Sequence, residues 1–174
     1  MSISLPQIKT YASKKECQRF PNGPFLGVKL ERHDRYDIIW FVWERDGLIP
    51  KQIIPQDWEP VILFWKNGNL ARVTVRRHFE WRDFYSTGND VPIFSSPLSI
   101  IFSGSHHAPL VKNNWDQTFD ELVQMHDRLG FEFEPVSDIP SYARRAIFKR
   151  NGLYVGRGED IYDRVRDSLI ELDS

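Results

Sequence analysis

From residue 70 to residue 82 the chain alternates apolar and polar positions. Ala71, Val73, Val75, Phe79 and Trp81 share one side, broken only by Arg77, and Arg72, Thr74, Arg76, His78, Glu80 and Arg82 share the other. A period of two belongs to a strand with one face in a core and one in water. Just upstream, Val61 to Lys66 is a second strand-forming run, and Asn67-Gly68-Asn69 between the two is a hairpin signature. The register follows from keeping like with like. A two-residue Asn67-Gly68 turn sets Leu63 opposite Arg72 and Val61 opposite Thr74, which mixes the faces. A three-residue loop sets Trp65, Leu63 and Val61 opposite Ala71, Val73 and Val75, so that register is expected.

Elsewhere the pattern is coarser. Phe25 to Leu30 and Tyr36 to Glu44 concentrate β-branched and aromatic residues and predict strands, with Asp46-Gly47 as a turn after them. Residues 1 to 24 are polar and predict a short helix or irregular arm. Pro50, Pro55 and Pro60 predict a structured loop over residues 48 to 60, since proline is excluded from a regular interior strand. Leu98 to Phe102 predicts a short buried strand. Beyond it the period changes: Thr118 and Glu121 fit a capping box, Phe119, Leu122, Val123, His126 and Leu129 form a helical stripe, and Gly130 fits a C-cap. Phe131 to Glu134 predicts another strand, Ser141 to Arg150 a helix, and Glu159 to Leu172 a terminal helix. With no repeat and no long linker, residues 1–174 predict one globular α+β domain. Its expected form is an antiparallel sheet or small sandwich of five to seven strands with two or three helices, mostly C-terminal.

Composition adds bounds. An apolar fraction of 41%, with twelve Phe and six Trp, excludes a disordered chain. Twenty-three basic residues against twenty-four acidic ones leave a net charge of −1, so any nucleic-acid partner has to rest on local clustering. Cys17 is the only cysteine, which excludes an intrachain disulfide. The first twenty residues hold no leader-like apolar stretch, and the run Ile38 to Trp43 is too short to cross a bilayer. A cytoplasmic protein without membrane attachment is expected.

Two constellations could carry chemistry. The first joins Asp57 and Glu59 with His78, His106 and His107; imidazole and carboxylate together are what a divalent metal or a general acid–base pair requires. A metal held there would act as a Lewis acid or activate a water, giving a metal-dependent hydrolase. Against this, no two of the histidines stand one helical turn apart, and adjacent histidines face opposite ways on a strand. The order Asp57-Trp58-Glu59, then a strand with His78, then Gly104-Ser105-His106 resembles the necrosis-inducing-protein-like β-sandwich family. In place of the family's preceding Gly-His-Arg-His this chain has Ile53, Ile54, Pro55 and Gln56. The resemblance implies a similar sandwich edge, with Asp57 and Glu59 where that family's carboxylates hold a divalent cation.

The second constellation is basic. Residues 141 to 158 carry Arg144, Arg145, Lys149, Arg150 and Arg157, no acidic residue, and the interleaved aromatics Tyr142, Phe148 and Tyr154. Such a surface suits a phosphate backbone or stacked bases, and Arg72 and Arg76 could extend it from the strand. The plainer reading is a solvated basic face paired with Asp160, Asp163 and Asp167. Val155-Gly156-Arg157-Gly158 lacks a full phosphate-loop pattern, and Glu159 and Asp160 after it suit a helix cap better. Cys17 has only Lys14, Lys15 and Arg19 to activate it, and it reads as inert. Three functions follow: a non-enzymatic module binding nucleic acid or protein, a metal-dependent hydrolase, or a structural subunit using the aromatics and the Pro-rich loop.

Overall fold

The computed structural model describes residues 4–19, 25–45, 50–77, 80–85, 94, 98–103, 107–111, 123–129, 132–145, 148–150, 153–155 and 159–174. The chain divides into two compact units, Met1–Pro135 and Val136–Ser174. It is mostly β, and among the described residues no helix is long and apolar enough to cross a membrane.

The first unit holds two sheets. The larger grows by successive antiparallel pairing of β2 (Gly27–Arg32), β3 (Tyr36–Trp43), β4 (Asp57–Lys66), β5 (Asn69–Arg77) and β6 (Glu80–Tyr85); the two-residue β10 (Glu134–Pro135) adds in parallel to β2. The smaller runs in the order β8 (Ala108–Val111), β7 (Leu98–Ser103), β1 (Ile8–Ser13), β9 (Val123–Leu129). It is mixed: β1 pairs parallel with β7 and antiparallel with β9. A parallel pair needs a long crossover, and here the whole β2–β6 meander lies between β1 and β7 in sequence. The two sheets share one apolar core, in which Phe102 of β7 meets Phe25, Phe41 and Trp43 at ring-centroid distances of 6.4, 5.0 and 4.7 Å.

The hairpin turns by a different device from the one expected. Lys66 pairs with Asn69, so the turn has two residues, and Asn67 and Gly68 both take left-handed backbone at φ 52° and 79°. That is the primed turn whose twist matches a hairpin. A β-bulge then absorbs one residue: Trp65 pairs with Leu70, but Phe64 pairs with Arg72. The slip restores Leu63 opposite Val73 and Val61 opposite Val75 as expected, while Leu70 takes the place foreseen for Ala71.

The wet face expected for β5 is absent. Arg72, Thr74 and Arg76 are buried, and so are Ile38, Trp40, Ile62 and Phe64 on the same face of the neighbouring strands. The sheet is buried on both faces, which explains the unbroken runs Ile38–Trp43 and Val61–Trp65. Pro60 is a further correction, since it lies inside β4. The Trp65 amide donates to the Arg35 carbonyl at 3.0 Å, so odd-numbered amides of β4 point towards β3 and even-numbered ones towards β5. Pairing with β5 begins only at Val61, so the amide that Pro60 lacks costs no ladder bond.

Three segments differ from expectation. Within residues 1–24, Ile8–Ser13 is a strand inside a sheet, followed by α1 (Lys14–Arg19). Val123–Leu129 is a strand, not a helix; seven residues cannot separate the two periods, and pairing with β1 satisfies the backbone of both segments. Thr118, Phe119, Glu121, Leu122 and Gly130 lie outside the described residues.

In the second unit the expected helix shrinks to the turn α2 (Ser141–Arg144), followed by the hairpin β11 (Phe148–Arg150) and β12 (Leu153–Val155). The chain between those strands reads Asn151-Gly152, a hairpin signature passed over in the basic pattern. The terminal helix stands as α3 (Ile161–Asp173), capped by Asp160, which accepts from the Tyr162 amide at 2.9 Å, and burying Ile161, Val165 and Ser168.

Two outcomes test this fold. Phe102→Ala removes the ring on which the sheets meet and costs about 3–5 kcal/mol in urea unfolding, whereas the exposed Leu26→Ala changes stability by less than about 0.5 kcal/mol. Asp37 is buried on the core side of β3, accepting from Trp65 Nε1 at 2.7 Å. Burial raises its carboxyl above the ordinary 3.8, against the Trp65 hydrogen bond and the charges of Arg32 and His33. A carboxyl that holds its proton more tightly folded than unfolded loses stability as pH rises from the unfolded pKa to the folded one. Asp37→Asn keeps an oxygen for the indole and removes that loss. Its melting temperature relative to the parent therefore climbs as pH rises through this window; a constant gap would contradict the assignment.

Candidate functional site

Inward-facing positions along β3 and β4 pass from apolar to polar towards one end. Core residues Val61 and Leu63 give way to Glu59 and Asp57, which lie opposite Phe41 and Trp43 on β3. Both carboxylates are buried. The residue that meets them comes from the smaller sheet: His107, immediately before β8, stacks on the Trp43 indole with centroids 4.2 Å apart and planes at 12°.

His107 is wholly buried and engaged on both sides. Nδ1 meets Glu16 Oε1 of α1, a contact within one hydrogen bond. Nε2 lies 3.1 Å from the Arg45 carbonyl and 3.5 Å from Asp57 Oδ2. A carbonyl only accepts, so Nε2 carries a proton and donates it to Arg45. His107 also holds a left-handed backbone, at φ 54°. That conformation costs a non-glycine residue on the order of 1 kcal/mol and persists only where surrounding contacts fix it. The two hydrogen bonds and the stack are those contacts.

Two β5 arginines complete the surroundings. Arg77 Nη1 donates to the Ala108 carbonyl at 3.5 Å, tying β5 to the start of β8. Burial lowers the Arg76 pKa from its ordinary value, and the charges of Glu59 and Asp57 oppose that shift.

Of the metal-reading residues, then, His107, Asp57 and Glu59 come to one end of the core, while His78 and His106 lie outside the described residues. Asp57 and Glu16 address opposite nitrogens of the His107 ring. Among the described residues no three His, Cys, Asp or Glu side chains form a group that could hold a metal. Glu16 and Trp43 were not candidates in the sequence; Glu16 is 91 positions from its histidine, and nothing local marks it.

The basic candidates separate. Arg72 and Arg76 are not on a solvated surface: their guanidinium carbons lie 4.5 Å from the Tyr85 ring centre and 5.8 Å from that of Trp81. A planar, weakly hydrated cation stacks on aromatic faces in this way. In the second unit Arg144 is half-buried and Arg145 is exposed, 3.9 Å from Asp160 Oδ2. Lys149 and Arg150 stand on β11 with side chains outside the description, as is the whole of Arg157. No family model, curated protein or solved structure matched the chain on comparison. The likeness to the necrosis-inducing-protein-like family therefore rests on its quoted residues alone.

The His107 geometry has a direct signature. Its Nε2 proton, buried and donated to Arg45, should appear in nitrogen–proton spectra as a slowly exchanging ring resonance that disappears in His107→Gln. An unprotonated Nε2 would overturn the hydrogen-bond assignment.

Proposed function

We propose that the chain is a non-enzymatic binding module and that its second unit meets a phosphate-bearing partner, nucleic acid in the first instance, through the segment from Arg144 to Arg150. The observation that carries this reading is the state of Arg145. It projects with 56% of its side chain exposed, and its 3.9 Å ion pair to Asp160 is a surface contact. Such pairs contribute about 0–1 kcal/mol, so a phosphate, which accepts two guanidinium bonds at once, competes well for it. Asp160 is already engaged in capping α3. Lys149 and Arg150 follow on a strand of the same small unit, close enough in sequence to add charge. The single Cys17 suits a reducing, cytoplasmic setting.

The buried state of His107 and Glu16 favours a binding role over an enzymatic one, because groups sealed against each other do not meet a substrate. A metal-dependent hydrolase keeps one observation in its favour, the 3.5 Å approach of His107 to Asp57. Stoichiometric zinc, manganese or another divalent metal in elemental analysis of the purified protein would move the reading there.

Fluorescence anisotropy with a labelled single-stranded oligonucleotide tests the proposal. Affinity should fall steeply with salt, and Arg144→Ala with Arg145→Ala should weaken it by about tenfold or more. Salt-independent binding, or no change in the double variant, refutes the placement.

A further inference from the structure

We propose that α1 is a latch, closed onto its unit by the buried contact of Glu16 with His107. A helix of six residues has no stability of its own, since isolated helices below about 12–15 residues are marginal in water. Its docking must therefore come from what it buries. Among the described side chains of α1, Lys15 and Gln18 are exposed and Glu16 is fully buried. Among the described side chains of α1 the carboxylate is the one that anchors the helix, helped by the Glu16 amide donating to Ser13 Oγ at 3.3 Å.

That anchor is specific but poorly satisfied. Glu16 Oε1 meets His107 Nδ1, while the buried Oε2 has no hydrogen-bond partner among the described residues. A buried carboxylate oxygen without a donor carries a desolvation cost, which rehydration on opening returns. Without Glu16, His107 still has the Trp43 stack and the Arg45 carbonyl, with Asp57 of β4 at 3.5 Å from Nε2 and Arg77 of β5 bonded to the adjoining Ala108 carbonyl. Phe102 meets the β3 aromatics Phe41 and Trp43 directly. Breaking a buried pair destabilises by stranding its members, and here one of them, Glu16, can leave with its helix.

Hydrogen exchange read by mass spectrometry on the full chain distinguishes a latch from an ordinary structural pair. In Glu16→Gln and in His107→Gln, amides 14–19 should exchange faster by about tenfold or more, while β3 and β4 keep the parent's protection. The double variant should exchange no faster than the faster single one, since both substitutions break the same contact. Glu16→Asp, which keeps the charge but shortens its reach, should give the same local pattern more mildly. Unchanged exchange at 14–19, a rise shared with β3 and β4, or loss of the whole fold in these variants each overturns the proposal.

Discussion

The first unit depends on one cluster of rings between its two sheets, edge-on at Phe102 and stacked at His107. Phe102 projects from the smaller sheet onto Phe41 and Trp43 of the larger, and the far side of the same region is closed by His107 lying flat on Trp43. Trp43 thus belongs at once to the hydrophobic core and to the polar cluster. Because aromatic pairs prefer defined tilted or offset geometries, the core dictates where the histidine ring can sit. The position of His107 then decides which acceptors its nitrogens reach.

This coupling explains why the cluster is internal. Sheet registers place Asp57 opposite Trp43 and Glu59 opposite Phe41, so both carboxylates follow the apolar residues into the interior. A buried carboxylate demands a partner. The cations and donors that could serve it come from elsewhere in the sequence: His107 before β8 and the arginines at the end of β5. One of them, Arg76, is also among the residues that suggest a surface for an external anion. An arginine whose guanidinium lies over an indole beneath a buried sheet face has found its partner inside the protein.

What could be read in the sequence was what is local and periodic. The hairpin from Val61 to Arg77, the two strands before it and the terminal helix each announce themselves over enough residues for one period to win. The bulge that rescues the hairpin register could not be read, because a bulge is chosen by the core it serves and has no motif of its own. β1 and β9 were missed for a related reason. A strand in a mixed sheet takes its identity from partners far along the chain, and Val123 to Leu129 satisfies a helical stripe until β1 is known to lie beside it. Of the site, Asp57, Glu59 and His107 were legible as residue types. Their arrangement was not, since it hangs on Glu16 and on a left-handed backbone at a histidine, neither of which leaves a trace in composition.

The burial of both faces of the larger sheet bears on how charge should be read in this chain. On a sheet with one wet face, Arg72 and Arg76 would be solvated and free to recruit phosphate. On a sheet covered on both sides, they are buried polar groups, and their stacking on Tyr85 and Trp81 is the local solution to that problem. Arg145 differs because the carboxylate it meets, Asp160 at 3.9 Å, also caps a helix, and because most of its side chain stands in water. The same residue type at similar sequence density therefore supports an interior role in one unit and an exterior one in the other. Burial, not charge count, separates them.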